Sequence, residues 1–112
     1  MHELGITRNI IAIVAAAAKG RPVRCVTLEV GKLSGVMSEA IAFCFDAVSQ
    51  GTALEGARLE ILEIAGRARC DECGAEFETA SLFAPCPCGS RRFVRLQGEE
   101  LKIKSMELTE AA

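Results

Sequence analysis

The sequence has a single histidine, no tryptophan or tyrosine, and three prolines in 112 residues, and its 13 Lys and Arg do not outnumber its 15 Asp and Glu. The one His stands at residue 2, so a Ser-His-Asp triad would have to be built around a chain end that is hard to hold rigid. Most hydrolytic chemistry is disfavoured on that ground. The formal net charge of −2 excludes a generally basic nucleic-acid coat and leaves room only for a local basic patch. Long hydrophobic runs are missing too: the nine apolar residues 10–18 (IIAIVAAAA) fall short of the roughly 20 that span a bilayer. Their small-residue end imitates a signal-peptide cleavage site, but Glu3 stands where a leader would be basic, so a cytoplasmic protein without membrane attachment is expected. In that compartment clustered Cys point to metal or redox chemistry rather than to disulfides.

Half of the residues are hydrophobic, enough for one compact domain or one domain with an appendage. Residues 3–19 are rich in Ala and Ile, lack Pro, and place Leu4, Ile11, Val14 and Ala18 at helical spacing, with Arg8 and Lys19 as a thin polar stripe before Gly20-Arg21-Pro22. From Val23 to Val30 the period falls to two, with Val26, Leu28 and Val30 on one face and Cys25, Thr27 and Glu29 on the other. A break at 31–35 follows. Ser38 is placed to N-cap a second helix over 39–49, whose apolar side reads as Ile41, Phe43, Cys44, Ala47 and Val48. Residues 59–64 (LEILEI) and 101–108 (LKIKSMEL) read as two further strands. The expected fold is α+β: two helices packed on a three-stranded sheet, with a zinc-ribbon-like insertion between the last two strands. The domain reading is 1–65 plus 98–112 for the α/β body and 66–97 for the insertion.

The insertion differs in character from its surroundings, holding four of the six Cys, five of the 13 basic residues and three of the five Phe. So short a segment cannot bury enough apolar surface to hold itself together and needs a staple. Cys70-Asp71-Glu72-Cys73-Gly74 and Cys86-Pro87-Cys88-Gly89 supply one: two close Cys pairs, each followed by Gly, can bring four thiolates to a tetrahedral Zn²⁺. Each Gly permits a positive φ that turns backbone N–H groups toward the sulfurs. Such a site carries a formal charge of about −2, which Arg67, Arg69, Arg91 and Arg92 are expected to offset. The second pair has one intervening residue where a regular knuckle has two, so a three-thiolate site and a redox pair at Cys70 and Cys73 stay open beside the four-thiolate reading. Cys25 and Cys44 stand alone in periodic elements and read as small buried thiols.

Residue 2 has its own chemistry. A bulky penultimate His favours retention of the initiator Met, which puts a free α-amine one residue from an imidazole. Amine, amide and imidazole nitrogens together form a nearly planar chelate, the geometry favoured by Ni²⁺ or Cu²⁺. The first N–H groups of a helix have no intrahelical partner, so displacing their protons by a metal breaks no helix bond. Glu3 offsets the macrodipole that would oppose a cation there, and Gly5 loosens the turn.

Taken together, Met1-His2-Glu3-Leu4, the segment Leu28-Glu29-Val30-Gly31-Lys32-Leu33-Ser34-Gly35-Val36, the paired-Cys insertion and Cys88-Gly89-Ser90 resemble the HypA (HybF) hydrogenase maturation nickel metallochaperones over essentially the whole chain. The resemblance implies a carrier rather than an enzyme. It implies Ni²⁺ cargo bound by Met1, His2 and Glu3, a structural Zn²⁺ at Cys70, Cys73, Cys86 and Cys88, and delivery to the large subunit of [NiFe]-hydrogenase with a HypB-type GTPase. An acidic residue ahead of the second helix is also associated with such sites; Glu39 is the nearest match, and equally well placed as a first-turn carboxylate. Monomer and dimer are both compatible with the sequence. Two competing functions remain: a zinc-ribbon nucleic-acid module reading through Arg91-Arg92-Phe93-Val94-Arg95, and a thiol oxidoreductase at Cys70 and Cys73.

Overall fold

A computed structural model describes residues 2–81 and 83–109, of residue 2 the backbone alone. Two helices and two three-stranded sheets make an α+β fold. Helix α1 (His2–Ala18) buries Ile10, Ile11, Val14 and Ala18, the stripe expected of its 3.6-residue period. Thr7 joins them fully buried; its hydroxyl donates to the Glu3 carbonyl at 2.6 Å, which satisfies the one polar atom it brings inside. Strand β1 (Val23–Gly31) follows after a short turn, so α1 and β1 run in opposite directions. Helix α2 (Ser38–Val48) then leads to β2 (Arg58–Ile64), and β6 (Leu101–Leu108) closes a sheet of order β2-β1-β6.

Strand directions follow from contacts at the strand ends. Lys32 N–H, just past the end of β1, donates to the carbonyl of Ile64 at the end of β2 at 2.9 Å, so these strands are parallel, as the α2 crossover between them requires. Thr109 donates to the Pro22 carbonyl at 2.9 Å and Arg24 pairs with Glu107 at 3.1 Å, which sets the end of β6 beside the start of β1 and makes that pair antiparallel. Both helices therefore oppose β1 and run the same way, packed against each other. Their N-termini are joined: the Glu3 carboxylate accepts a hydrogen bond from the Met37 N–H at 3.2 Å.

That bond corrects one reading of the sequence. The N-cap of α2 is Met37, with no side-chain cap, and Ser38 is already helical. A carboxylate from another helix does what the N3 side chain of a capping box does, and its charge sits favourably at the start of α2. The apolar face of α2 also differs. Ile41 and Phe45, four residues apart, are buried, whereas Phe43 lies about 200° round the helix from Ile41 and is 82% exposed. Cys25 is buried and Cys44 half-buried.

The chain divides into two compact units, one of Met1–Leu28, Met37–Leu62 and Lys102–Ala112, the other of Glu29–Val36 and Glu63–Leu101. The paired-Cys segment 66–97 falls wholly in the second, which also takes in 29–36, 63–65 and 98–101. This unit contains the second sheet, β3 (Gly66–Cys70), β4 (Glu76–Thr79) and β5 (Phe93–Gln97), antiparallel in the order β4-β3-β5. What draws residues 29–36 into it is a close backbone approach. Gly31 donates to the Glu100 carbonyl at 2.7 Å and Leu33 to the Gly98 carbonyl at 2.7 Å. A Cβ on Gly31 would stand 1.9 Å from the Gly98 oxygen, and one on Gly66 would stand 2.7 Å from Leu33 Cδ1. Leu33 is buried over this glycine seam.

Gly31→Ala is expected to lower the stability to urea by about 3 kcal/mol or more, because backbone rather than a flexible side chain must move. Gly5→Ala, where a Cβ meets nothing within 4 Å, is expected to raise it by about 0.5–1 kcal/mol through helix propensity. Denaturation midpoints of the two variants check both; equal stability for Gly31→Ala and the wild type would contradict the seam.

Candidate metal centre

The four cysteines of the second unit converge. Cys70 ends β3, and the turn after it is closed by Gly74 N–H donating to the Cys70 carbonyl at 3.1 Å and by Cys70 N–H donating to Ala75 O at 2.9 Å. On the other arm, Cys86 N–H donates to Ser90 O and Gly89 N–H to Cys86 O. Gly74 and Gly89 both have positive φ, 74° and 94°, as turns of this hand require. The ligand atoms of Cys70, Cys73, Cys86 and Cys88 all lie within 4.8 Å of one another. Contacts cross between the arms: Cys70 Sγ is 3.7 Å from Cys88 Sγ, and Cys73 Sγ is 3.6 Å from Cys86 Sγ.

Four sulfurs about 2.3 Å from one tetrahedral ion stand about 3.8 Å apart, which the two contacts across the arms match, so the cluster can hold Zn²⁺. The single-residue spacing of the second pair does not keep Cys88 out. With Pro87 between them, Cys86 and Cys88 reach opposite members of the first pair. No other group of three or more His, Cys, Asp or Glu with metal-ligand spacing occurs among the described residues.

Backbone N–H groups supply the stabilisation at the sulfurs. Glu72 and Cys73 N–H both donate to Cys70 Sγ at 3.4 Å, and Cys88 N–H donates to Cys86 Sγ at 3.5 Å. The Cys73 N–H, assisted by that of Glu72, overcomes burial and lowers the Cys70 thiol from 9.0 to about 6. At Cys86 the Cys88 N–H favours the thiolate, but burial and the three neighbouring sulfurs outweigh it and push the thiol up to about 12. Cys88 is raised as well: the Ser90 N–H and Cys86 favour its thiolate, and its contacts with Cys70 and Cys73 together with burial prevail.

The arginines expected to offset the charge are engaged elsewhere in part: Arg67 pairs with Glu76 at 3.7 Å and Arg91 donates to the Phe83 carbonyl at 3.3 Å. The basic stretch is also a poor stacking surface. Phe93 is half-buried, its ring edge-on to Phe77 with centroids 5.8 Å apart, and Arg95 pairs with Glu99.

The expected nickel ligands are placed only in part. Met1 and the His2 side chain lie outside the described residues; the His2 backbone opens α1. Glu3 is half-buried, its carboxylate on the Met37 N–H, a role that no local pattern announces because its partner is 34 residues away. Glu39 lies exposed in the first turn of α2.

Zinc titrated into metal-free protein should displace protons from at least Cys86 and Cys88 at neutral pH, since their folded values lie above the ordinary thiol range. Cys70, lowered to about 6, joins them only in acid. Affinity therefore falls as pH drops. The logarithm of the binding constant should rise with pH with a slope of about two or more near neutrality and steepen by about one below pH 6. Competition titrations with a chromophoric chelator measure it; a pH-independent constant would contradict thiolate ligation.

A family model described as "Hydrogenase/urease nickel incorporation, metallochaperone, hypA" matches residues 1–108. The chain is 59% identical over 111 residues to the hydrogenase maturation factor HypA of Rippkaea orientalis, covering 98% of this chain and 97% of that one. With its counterpart in Geobacter metallireducens it shares 48% over 109 residues, covering 96% and 99%. In fold it is similar to the solution structure of the Ni metallochaperone HypA from Helicobacter pylori, with a TM-score of 0.64, 20% identity and coverage of 95% and 96%. A second HypA solution structure gives a TM-score of 0.69 at 22% identity, covering 97% of each chain. This chain thus belongs to the HypA family of nickel-incorporation metallochaperones for hydrogenase maturation, carriers rather than enzymes.

Proposed function

We propose that this protein takes up Ni²⁺ at Met1, His2 and Glu3 and delivers it to the large subunit of [NiFe]-hydrogenase in the cytoplasm, together with a HypB-type GTPase. Zn²⁺ stays in the cluster of Cys70, Cys73, Cys86 and Cys88. The observation that carries the reading is the start of α1 at His2 in a HypA-family chain opening Met-His-Glu. A helix beginning there leaves the amides of its first turn without intrahelical acceptors, so they are available to a metal as deprotonated nitrogens.

The α-amine of Met1, the His2 imidazole and the backbone nitrogens of His2 and Glu3 would form the planar set, selected for Ni²⁺ by geometry rather than by raw affinity. Soft thiolates retain Zn²⁺ for the complementary reason. Glu3 contributes its backbone to the chelate and its carboxylate to the Met37 N–H, which ties the first turn of α1 to α2. Glu39, at the same end of the helical pair, is the candidate for a further oxygen donor. Among the described residues no helix is long and apolar enough to cross a membrane.

Release is the other half of a carrier's task. A site of exchangeable nitrogen donors at a chain end exposes the metal to an incoming ligand set, whereas a closed four-thiolate site does not. Protons compete for the amine and the imidazole, so nickel affinity should fall as pH drops through about 6.5. Calorimetric Ni²⁺ titration of the zinc-loaded protein with its native N-terminus should show one site. His2→Ala, or an added N-terminal residue that converts the amine to a peptide bond, should weaken that site by at least about 100-fold, as loss of a first-shell nitrogen does. Unchanged binding in either would overturn the assignment.

A further inference from the structure

The four sulfurs of the metal centre differ in exposure, and the difference follows a pattern. Cys70 and Cys86 are buried, Cys73 and Cys88 exposed, so each arm presents one cysteine to solvent and keeps one inside. The contacts between the arms join unlike members. Exposed Cys88 meets buried Cys70 at 3.7 Å, and exposed Cys73 meets buried Cys86 at 3.6 Å. Each cysteine that an oxidant in solution can reach therefore touches a sheltered sulfur from the other arm. This is the arrangement of an attacked thiol and its resolving partner. Pairing within the arms is opposed by the second knuckle. A bond between Cys86 and Cys88 would close a ring over the single residue Pro87, whose fixed φ leaves little freedom to bring the two sulfurs into bond. Both sulfurs of that arm must then pair with the first arm, and of the two ways to do so the contacts select Cys70 with Cys88 and Cys73 with Cys86.

We propose that the cluster is an oxidation site for hydroperoxides, at which zinc coordination is exchanged for two disulfides that cross between the arms, Cys70–Cys88 and Cys73–Cys86. The proposal rests on Zn²⁺ occupying the four cysteines, as proposed above. In each half of the reaction the exposed thiolate attacks the hydroxyl oxygen of the peroxide. An S–O bond forms, the O–O bond breaks, sulfur gives up two electrons, and hydroxide or alkoxide leaves. The buried thiolate of the other arm then attacks the sulfenic sulfur, forming the S–S bond and expelling hydroxide. Two peroxides oxidise four thiolates, and Zn²⁺ departs because no thiolate remains to hold it. The products tie the same two arms that the metal ties. Disulfides closed within each arm would free the arms as zinc left, whereas these replace a coordinate cross-link by a covalent one. The second unit therefore keeps its fold through oxidation and reloads zinc once a dithiol has reduced it.

Zinc content of the full-length, reduced protein, measured first, tests the metal assignment by itself. Excess hydrogen peroxide added to the zinc-loaded protein should then release one Zn²⁺ as the four cluster thiols are lost, followed with a chromophoric chelator and a thiol reagent. Proteolysis after Glu72 separates Cys70 from Cys73, and mass spectrometry with backbone fragmentation between Pro87 and Cys88 separates the other two. The expected pairs are Cys70–Cys88 and Cys73–Cys86. Amide resonances of β3, β4 and β5 should keep their dispersion in the oxidised, metal-free protein, lose it when a dithiol is added with a chelator, and regain the starting spectrum when the dithiol is added with Zn²⁺ instead. Substoichiometric zinc before oxidation would overturn the metal assignment and the exchange with it. With zinc in place, bonds within the arms, sulfinic acids at Cys73 and Cys88 without disulfides, collapse of the oxidised second unit, or a cluster that keeps its zinc and thiols under peroxide would each overturn the proposal and leave the metal assignment standing.

Discussion

The second unit depends on the closure of four sulfurs onto a common centre. Its buried apolar side chains are few, Val30, Leu33 and Ala68 beside Cys70 and Cys86, and a unit of that size without a larger core needs a covalent or coordinate cross-link. The sulfurs cannot hold themselves. Burial and the neighbouring sulfurs push Cys86 up to about 12, and contacts with Cys70 and Cys73 together with burial raise Cys88. A doubly charged ion bound there would offset the thiolate charge and cross-link the two arms. Around that tie the rest is arranged by main chain: knuckle amides on Cys70 and Cys86, three antiparallel strands, and the glycine seam that brings residues 31–33 against Gly66 and Gly98.

Donor chemistry separates the two metals proposed for this chain. The clustered sulfurs belong to the second unit, and the amine, amide and imidazole nitrogens proposed for nickel belong to the first. A metal held by four soft ligands in a closed tetrahedron is retained, and one held by nitrogens at a chain end is exchangeable. In the first unit the Glu3 carboxylate is the matching structural device. It joins the first turn of α1 to the N-cap of α2 and so gives the proposed nickel turn a fixed neighbour.

Much of this is legible in the sequence, for local reasons. Strand β6 spans the Leu101–Leu108 segment that its composition suggests, and α1 buries Ile11, Val14 and Ala18 as their spacing requires. The four Cys declare themselves by pairing and by the Gly that follows each pair. What stays hidden has its cause elsewhere in the chain. Ser38 has the residue type of a cap, yet the N-cap is Met37, its N–H held by a carboxylate 34 residues upstream. Phe43 has the hydrophobicity of a core residue but the wrong angle on its helix, so a count of apolar residues admits it where the 100° step excludes it. The arginines near the thiolates are legible as charge, but the diagonal pairing of Arg67 with Glu76 and the bond from Arg91 to Phe83 O depend on strand register and turn geometry. Gly31 reads as a simple break, and only the approach of Gly98 shows why a side chain there is excluded.

The central claim is that the protein keeps two metals on two chemically different donor sets. X-ray absorption at the nickel and zinc edges, on protein carrying one equivalent each of Zn²⁺ and Ni²⁺, tests it most directly. The account predicts a nickel shell of nitrogen and oxygen with imidazole scattering and no sulfur, beside a zinc shell made of sulfur. Sulfur in the nickel shell, or nickel displacing zinc from the four cysteines, would contradict it.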